Sequence, residues 1–241
     1  MNNSIKILLF FAFSLCISKL SAQDFEGALI YKTDIELSPV LSQIGMTKQT
    51  VLAKMREEAT WSDSIETFYK QGNYYTVKMN GDSGWEVYRS DSNKVYSPSK
   101  DNDIYIAKDA SVEGETKLFG KPPRVWLLDT IAFVDSIKCK VVRVEWRLGV
   151  FDYYFNDSYF PTNPEPYKGH IREGWYAYLK ISHALPLQIV KTISIGITMV
   201  FTLASYKRME VDSALFKIPR LKKSKSSTDN SLGIEEMEIV K

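Results

Sequence analysis

Cysteine is almost missing from these 241 residues: only Cys16 and Cys139 occur. A scaffold of several disulfides is therefore excluded. Histidine is equally scarce, with His170 and His183 alone. Two imidazoles thirteen positions apart and a lone thiol do not make a local zinc pattern, so no metal ligand is assigned. No excess of one charge exists either, with 31 basic against 29 acidic residues. A chain so balanced has nothing with which to hold a phosphate backbone or a strongly anionic membrane surface, which argues against nucleic acid as a partner. Beyond the first twenty or so residues, no apolar run is long enough to cross a bilayer as a helix.

What the chain does contain begins with a leader. Lys6 precedes the apolar run 7–17, and Lys19-Leu20-Ser21-Ala22 follows it. A basic start, a short greasy centre and small closing residues read as a secretory signal peptide over residues 1–22. Leu15 before Cys16 is a poor fit for lipidation. Cleavage after Ala22 would remove Lys6, Lys19 and Cys16, leaving 29 bases, 29 acids and the single thiol Cys139. The expected product is a periplasmic chain that must hold itself together by packing. One domain is expected over residues 23–219. Residues 220–241, rich in lysine, serine and glutamate, read as a disordered tail or at most one edge strand.

The organising stretch lies near the end of that domain. Ile193, Ile195, Ile197, Met199, Phe201 and Leu203 alternate with Ser194, Gly196, Thr198, Val200 and Thr202. Alternate side chains of a strand share a face, so this is an apolar stripe on one side of a sheet. An unbroken strand over residues 185–209 would be about 80 Å long at the usual rise per residue. A reversal is therefore required, and Ser194 with Gly196 offers the best turn chemistry.

Earlier segments supply partners for the stripe. Residues 25–36 read as a first strand, with Gly27 marking a bulge or a close backbone approach. Ser38-Pro39 starts a short helix that Gly45 ends, and Thr47 caps a second piece in which Val51, Leu52, Met55 and Ala59 recur at helical spacing. Short β-prone runs at 64–70, 73–80, 84–89, 94–97 and 103–108 form a half-wetted antiparallel meander. Residues 109–123 read as a loop. Strands follow at 125–133, 137–148 and 151–155, then an irregular loop over 156–174 and a helical or extended piece at 173–182. The fold class is mainly β: an antiparallel incomplete barrel wrapped over a short broken helical segment.

No catalytic constellation emerges. Gly81-Asp82-Ser83-Gly84 copies the tetrapeptide around a serine-protease nucleophile, but both histidines come later in the chain, and these are ordinary hairpin-turn residues. Residues 114–121 have the wrong spacing for a phosphate loop, and Pro122 stands where a magnesium-binding hydroxyl belongs. Cys139, between Ile137 and Val141, reads as a small core hydrophobe. The aromatic density from Phe151 to Tyr178, with Tyr153, Phe155, Trp175 and Tyr178 foremost, reads either as a cavity rim or as core filling that clamps the long loop.

Four short segments resemble a family of exported proteins from double-membrane bacteria related to the outer-membrane lipoprotein carrier (LolA-like) superfamily. They are Phe25-Glu26-Gly27-Ala28-Leu29-Ile30-Tyr31, Cys139-Lys140, Leu185-Pro186-Leu187, and the closing stretch Val211-Asp212-Ser213-Ala214-Leu215-Phe216-Lys217-Ile218-Pro219. The resemblance implies an incomplete barrel over a helical lid, with an apolar hollow able to shelter acyl chains. No ligand-contacting residue is carried over from it. The expected function is non-catalytic binding of apolar ligands, lipid or lipoprotein acyl groups, without a cofactor. Val51, Leu52 and Met55 from the helical cover, and Ile197, Met199, Phe201 and Leu203 from the stripe, would line the hollow. The alternative is a structural or protein-interaction module of the envelope with a filled core.

Overall fold

The structure, a computed structural model, describes residues 24–58, 60–79, 84–99, 104–218 and 223–226. The expected signal peptide, the Gly81-Asp82-Ser83 turn, Ala59 and most of the tail lie outside the described residues.

The backbone forms one open sheet in two meanders. The first comprises β1 (Gly27–Leu37), β2 (Ser64–Lys70), β3 (Asn73–Met79), β4 (Trp85–Arg89), β5 (Lys94–Pro98) and β6 (Ile104–Asp109). The second comprises β7 (Arg124–Leu127), β8 (Ala132–Val134), β9 (Ile137–Glu145), β10 (Gly149–Phe155), β11 (Gln188–Ile193) and β12 (Ile197–Arg208). Strand order across the sheet is β13-β6-β5-β4-β3-β2-β1-β12-β11-β10-β9-β7, with β8 also on β9 and β13 being Lys223–Ser226. Every pairing is antiparallel except β13 on β6. The sheet does not close into a barrel. Part of the tail thus supplies an edge strand. The single strand expected at 125–133 is two, β7 and β8, which both pair with β9.

The two meanders meet where β1 pairs with β12 along its whole length, from Gly27 opposite Arg208 to Leu37 opposite Ile197. Gly27 is a site of close approach: at φ +149°, a Cβ there would lie 2.1 Å from the Lys207 carbonyl oxygen. The register shift in this pairing falls later, between Ile30 and Tyr31. The required reversal sits where the sequence places it. Gly196, at φ +87°, links β11 to β12, and its N–H donates to Ile193 O at 2.9 Å.

The broken helical segment forms α1 (Pro39–Gln43) and α2 (Lys48–Glu57). Thr47 and Thr50 cap α2 reciprocally, each side-chain oxygen accepting from the other's backbone N–H. Residues 109–123 are not all loop, since α3 (Gly114–Phe119) lies within them. The ambiguous piece is helix α4 (Trp175–Ser182). Its buried residues Trp175, Tyr178, Leu179 and Ser182 fall at helical spacing, and His183 in the left-handed region closes it by donating to Leu179 O.

One face of the sheet, here the inner face, carries the main core. There α4 and the preceding loop lay Tyr178, Leu179, Phe160 and Tyr167 against Tyr153, Phe155 and Leu29. The Tyr153 and Tyr178 rings stack with centroids 4.5 Å apart. Each fully buried side chain of this size stabilises the fold by about 1.5–3 kcal/mol. A smaller cluster at the far end of the same face joins Ile35, Val51 and Trp61 with Leu52, Met55, Ile197 and Met199. On the outer face, the 3-10 turn Ser213–Phe216, capped by Asp212, seats Phe216 near Val87 and Val211. Cys139 is buried in the main core, and that burial pushes its thiol pKa up.

Candidate functional site

The apolar stripe of β12 passes through three environments. Ile197 and Met199 lie under α2 with Val51, Leu52 and Met55, while Leu203 packs into the main core. Between them Phe201 faces a cavity of about 130 Å³. Ile189 flanks Phe201 from β11, Tyr31 comes from β1, and Ile65, Thr67 and Tyr69 come from β2. Tyr74, Thr76 and Glu86 from β3 and β4 continue the wall. The rest is His170, Arg172, Glu173 and Trp175, from the chain leading into α4.

The residues expected to line a hollow fall into separate environments. Val51, Leu52, Met55, Ile197 and Met199 do come together, but as a small packed cluster, because α2 lies directly on that end of the stripe. Phe201 alone of the seven residues assigned to the hollow lines this cavity. Of the aromatic group, Trp175 lines it as well, whereas Tyr153, Phe155 and Tyr178 are core residues without a solvent-facing rim.

The polar wall is missing from the sequence reading. Tyr74 Oη lies 3.0 Å from His170 Nε2 and 3.4 Å from Glu86 Oε1. One hydroxyl carries one proton, so a Tyr74 O–H given to Glu86 makes His170 Nε2–H the donor to Tyr74 Oη. His170 is buried among the Tyr74, Tyr88 and Trp175 rings. That burial lowers its pKa to about 4, so the imidazole is neutral at physiological pH. His170 Nδ1 and Trp175 Nε1 have no hydrogen-bond partner among the described residues.

Glu173 and Gly174 are consecutive left-handed residues, at φ 56° and 67°. A glutamate there is strained, and its neighbours hold it from three sides. Its N–H donates to Glu113 Oε2 at 2.7 Å, its carbonyl accepts from Tyr153 Oη at 2.7 Å, and its carboxylate accepts from Lys191 Nζ at 2.6 Å.

The carboxyl groups are tuned in opposite directions. Glu86 keeps contact with solvent, yet the surrounding walls strip enough water from its carboxyl to raise its pKa, and the Glu173 charge adds to the rise. For Glu173 burial acts upward, but the charge and hydrogen bond of Lys191 outweigh it, so its pKa lies below the ordinary value. Glu113 is raised to about 7, chiefly by burial, against the opposing hydrogen bond from Glu173 N–H. One carboxyl biased toward the neutral form beside one held ionised is a combination that binding sites and proton-transfer sites share.

A second depression, of about 370 Å³, is bounded by Lys70, Glu210, Val211, Asp212 and Ser213. It is more open and more polar, and its lysine is already bound to Glu26 at 3.0 Å and to the Val211 carbonyl at 2.7 Å. Among the described residues, no three His, Cys, Asp or Glu side chains converge as a metal site requires, and no helix is long and apolar enough to cross a membrane.

No protein-family model and no curated protein matches the sequence. Solved structures give loose likenesses. Two crystal forms of PNGF-II align with TM-score 0.43, at 10% and 8% identity, over 84% and 83% of this chain. The aligned part is 31% of PNGF-II, so this chain corresponds to under a third of that protein. A LolA superfamily protein from Nitrosomonas europaea aligns with TM-score 0.37 and 8% identity, over 82% of this chain and 91% of that one.

Proposed function

We propose that this protein is a non-catalytic binding protein of the bacterial cell envelope, exported to the periplasm. It takes the apolar part of a small amphipathic molecule, of the lipid or acyl class, into the cavity beside Phe201. The observation that carries this reading is the gap in the stripe. Helix α2 covers one end and the core the other, while Phe201 and Ile189, each packed against the core on one side, border the cavity on the other. Concave pockets with apolar walls and a few placed polar groups are the usual form of a small-molecule site. The Phe201 wall would hold the apolar part, and the Glu86, Arg172 and Glu173 side the polar part.

The test is fluorescence titration with Nile red, a neutral apolar dye, followed by displacement with hexanol. Saturable binding in the wild type and its loss in Ile189→Arg, with the near-ultraviolet dichroism of the folded chain retained, is the expected result. Failure of dye and alcohol to bind would remove the reading.

A second reading, an interaction module, has its own observation. Val40 and Ile44 of the α1 region and Ile195 of the β11–β12 turn are 66%, 71% and 62% exposed. The chain entering α1 meets this turn where Ser38 N–H donates to Gly196 O at 2.8 Å. An apolar tip of this kind suits a protein partner. Nile red binding that survives Ile189→Arg but is lost in Ile44→Ser would favour it.

A further inference from the structure

Five of the thirteen residues lining the Phe201 cavity are Tyr, Trp or Phe, and its ionisable groups are two carboxyls, one guanidinium and, at its edge, the Lys191 ammonium. Tyr31, Tyr69, Tyr74, Trp175 and Phe201 present rings, and Glu86 and Glu173 present carboxyls against the single guanidinium of Arg172. His170 adds no charge while its imidazole is neutral. Arg172 already engages other parts of the protein. The electron-rich faces of such rings attract cations, most strongly where water is partly excluded. An ammonium group is in fact already seated on this wall. Lys191 Nζ lies 5.5 Å from the centroid of Phe201 and 5.0 Å from that of Phe151, while binding Glu173. Glu86 also lines the cavity, and the hydrogen bond it accepts from Tyr74 is long, at 3.4 Å.

We propose that the polar end of the ligand is a cation, an amine or quaternary ammonium group, received between the aromatic wall and the Glu86 carboxylate. This inference rests on the reading of the cavity as the site for an apolar ligand. A carboxylate or phosphate head in the same place would be repelled by Glu86 wherever that carboxyl is ionised, whereas the Glu173 charge is already met by Lys191. The ligand class is therefore an amphipathic cation: a short apolar body with a positively charged nitrogen.

Calorimetric titration with three probes of equal chain length separates the possibilities: hexyltrimethylammonium, hexanol and hexanoate. The ammonium probe should bind about tenfold more tightly than hexanol, the scale expected of a partly desolvated cation–π contact with a nearby carboxylate. Hexanoate should bind more weakly than hexanol. In Glu86→Gln, where the shape is kept, the preference for ammonium over hexanol should fall below about threefold. Raising the salt concentration should weaken the ammonium probe selectively, whatever the variant does. Equal affinities for ammonium and alcohol, or tightest binding of hexanoate, would overturn the cation inference while leaving the apolar reading intact. Absence of hexanol binding together with failure of Nile red to bind would overturn both.

Discussion

Glu113 Oε2 accepts a hydrogen bond from the backbone N–H of Glu173 at 2.7 Å, across sixty residues of sequence. The bond pins a left-handed residue whose side chain lines the cavity, so the mouth of the site is fastened to the segment that begins α3.

That fastening carries a pH signature. Burial raises Glu113 from 4.5 to about 7. Between those values the folded chain keeps a proton that the unfolded chain has released, so this group's contribution to stability falls as pH rises from 4.5 through 7. Urea midpoints of Glu113→Gln should decline less across that interval than those of the wild type, because glutamine still accepts the bond but does not ionise. An unchanged pH dependence would count against the assignment.

His170 works in the other direction. Its pKa is lowered from 6.5 to about 4, so its contribution is complete above 6.5 and is lost as pH falls toward 4. His170→Phe should remove this acid-side loss. It also leaves the Tyr74 hydroxyl without its nearer partner, at a cost of about 1–3 kcal/mol near neutral pH. Denaturant titrations at several pH values measure both effects.

Packing predictions distinguish the two inner-face clusters. Tyr178 is fully buried against Tyr153, and truncation to alanine should cost about 3–5 kcal/mol, as for other large aromatic deletions. Met55 is only partly buried in the small cluster, so Met55→Ala should cost about 1 kcal/mol. Comparable losses in the two variants would show that α2 is as central to the fold as α4.

Much of this architecture is legible in the sequence because it is periodic or chemically marked. Alternation marks the stripe, Gly196 the reversal, and Thr47 the start of α2. The cavity's polar wall has no such mark. Glu86 is one polar residue on a strand with alternating polarity, and nothing local separates it from a solvated position. Arg172 and Glu173 sit in a loop whose path is fixed by tertiary contacts, and Glu173 takes a backbone conformation that its side chain disfavours. The aromatic cluster presents another limit. Composition cannot say whether Tyr153 and Tyr178 stack inside or line a rim until the course of α4 is known.

Two glycines with similarly unusual backbones should respond very differently to alanine. Gly120, at φ +70°, has open space around its missing Cβ, so substitution should cost about 1–2 kcal/mol of backbone strain. At Gly27 the new Cβ would meet the Lys207 carbonyl at 2.1 Å as well. Gly27→Ala should lose more than about 4 kcal/mol or fail to yield folded protein. Thermal melting of the two variants side by side checks the contrast.

Gly27 opposite Arg208 also determines the order of assembly. The sheet is joined at its middle by strands from opposite ends of the domain, so this seam cannot zip until residue 208 is available. Pairings so distant along the chain impose a high contact order and slow folding. The first meander can pair hairpin by hairpin before then, but β1 has only one of its two neighbours until β12 has been made.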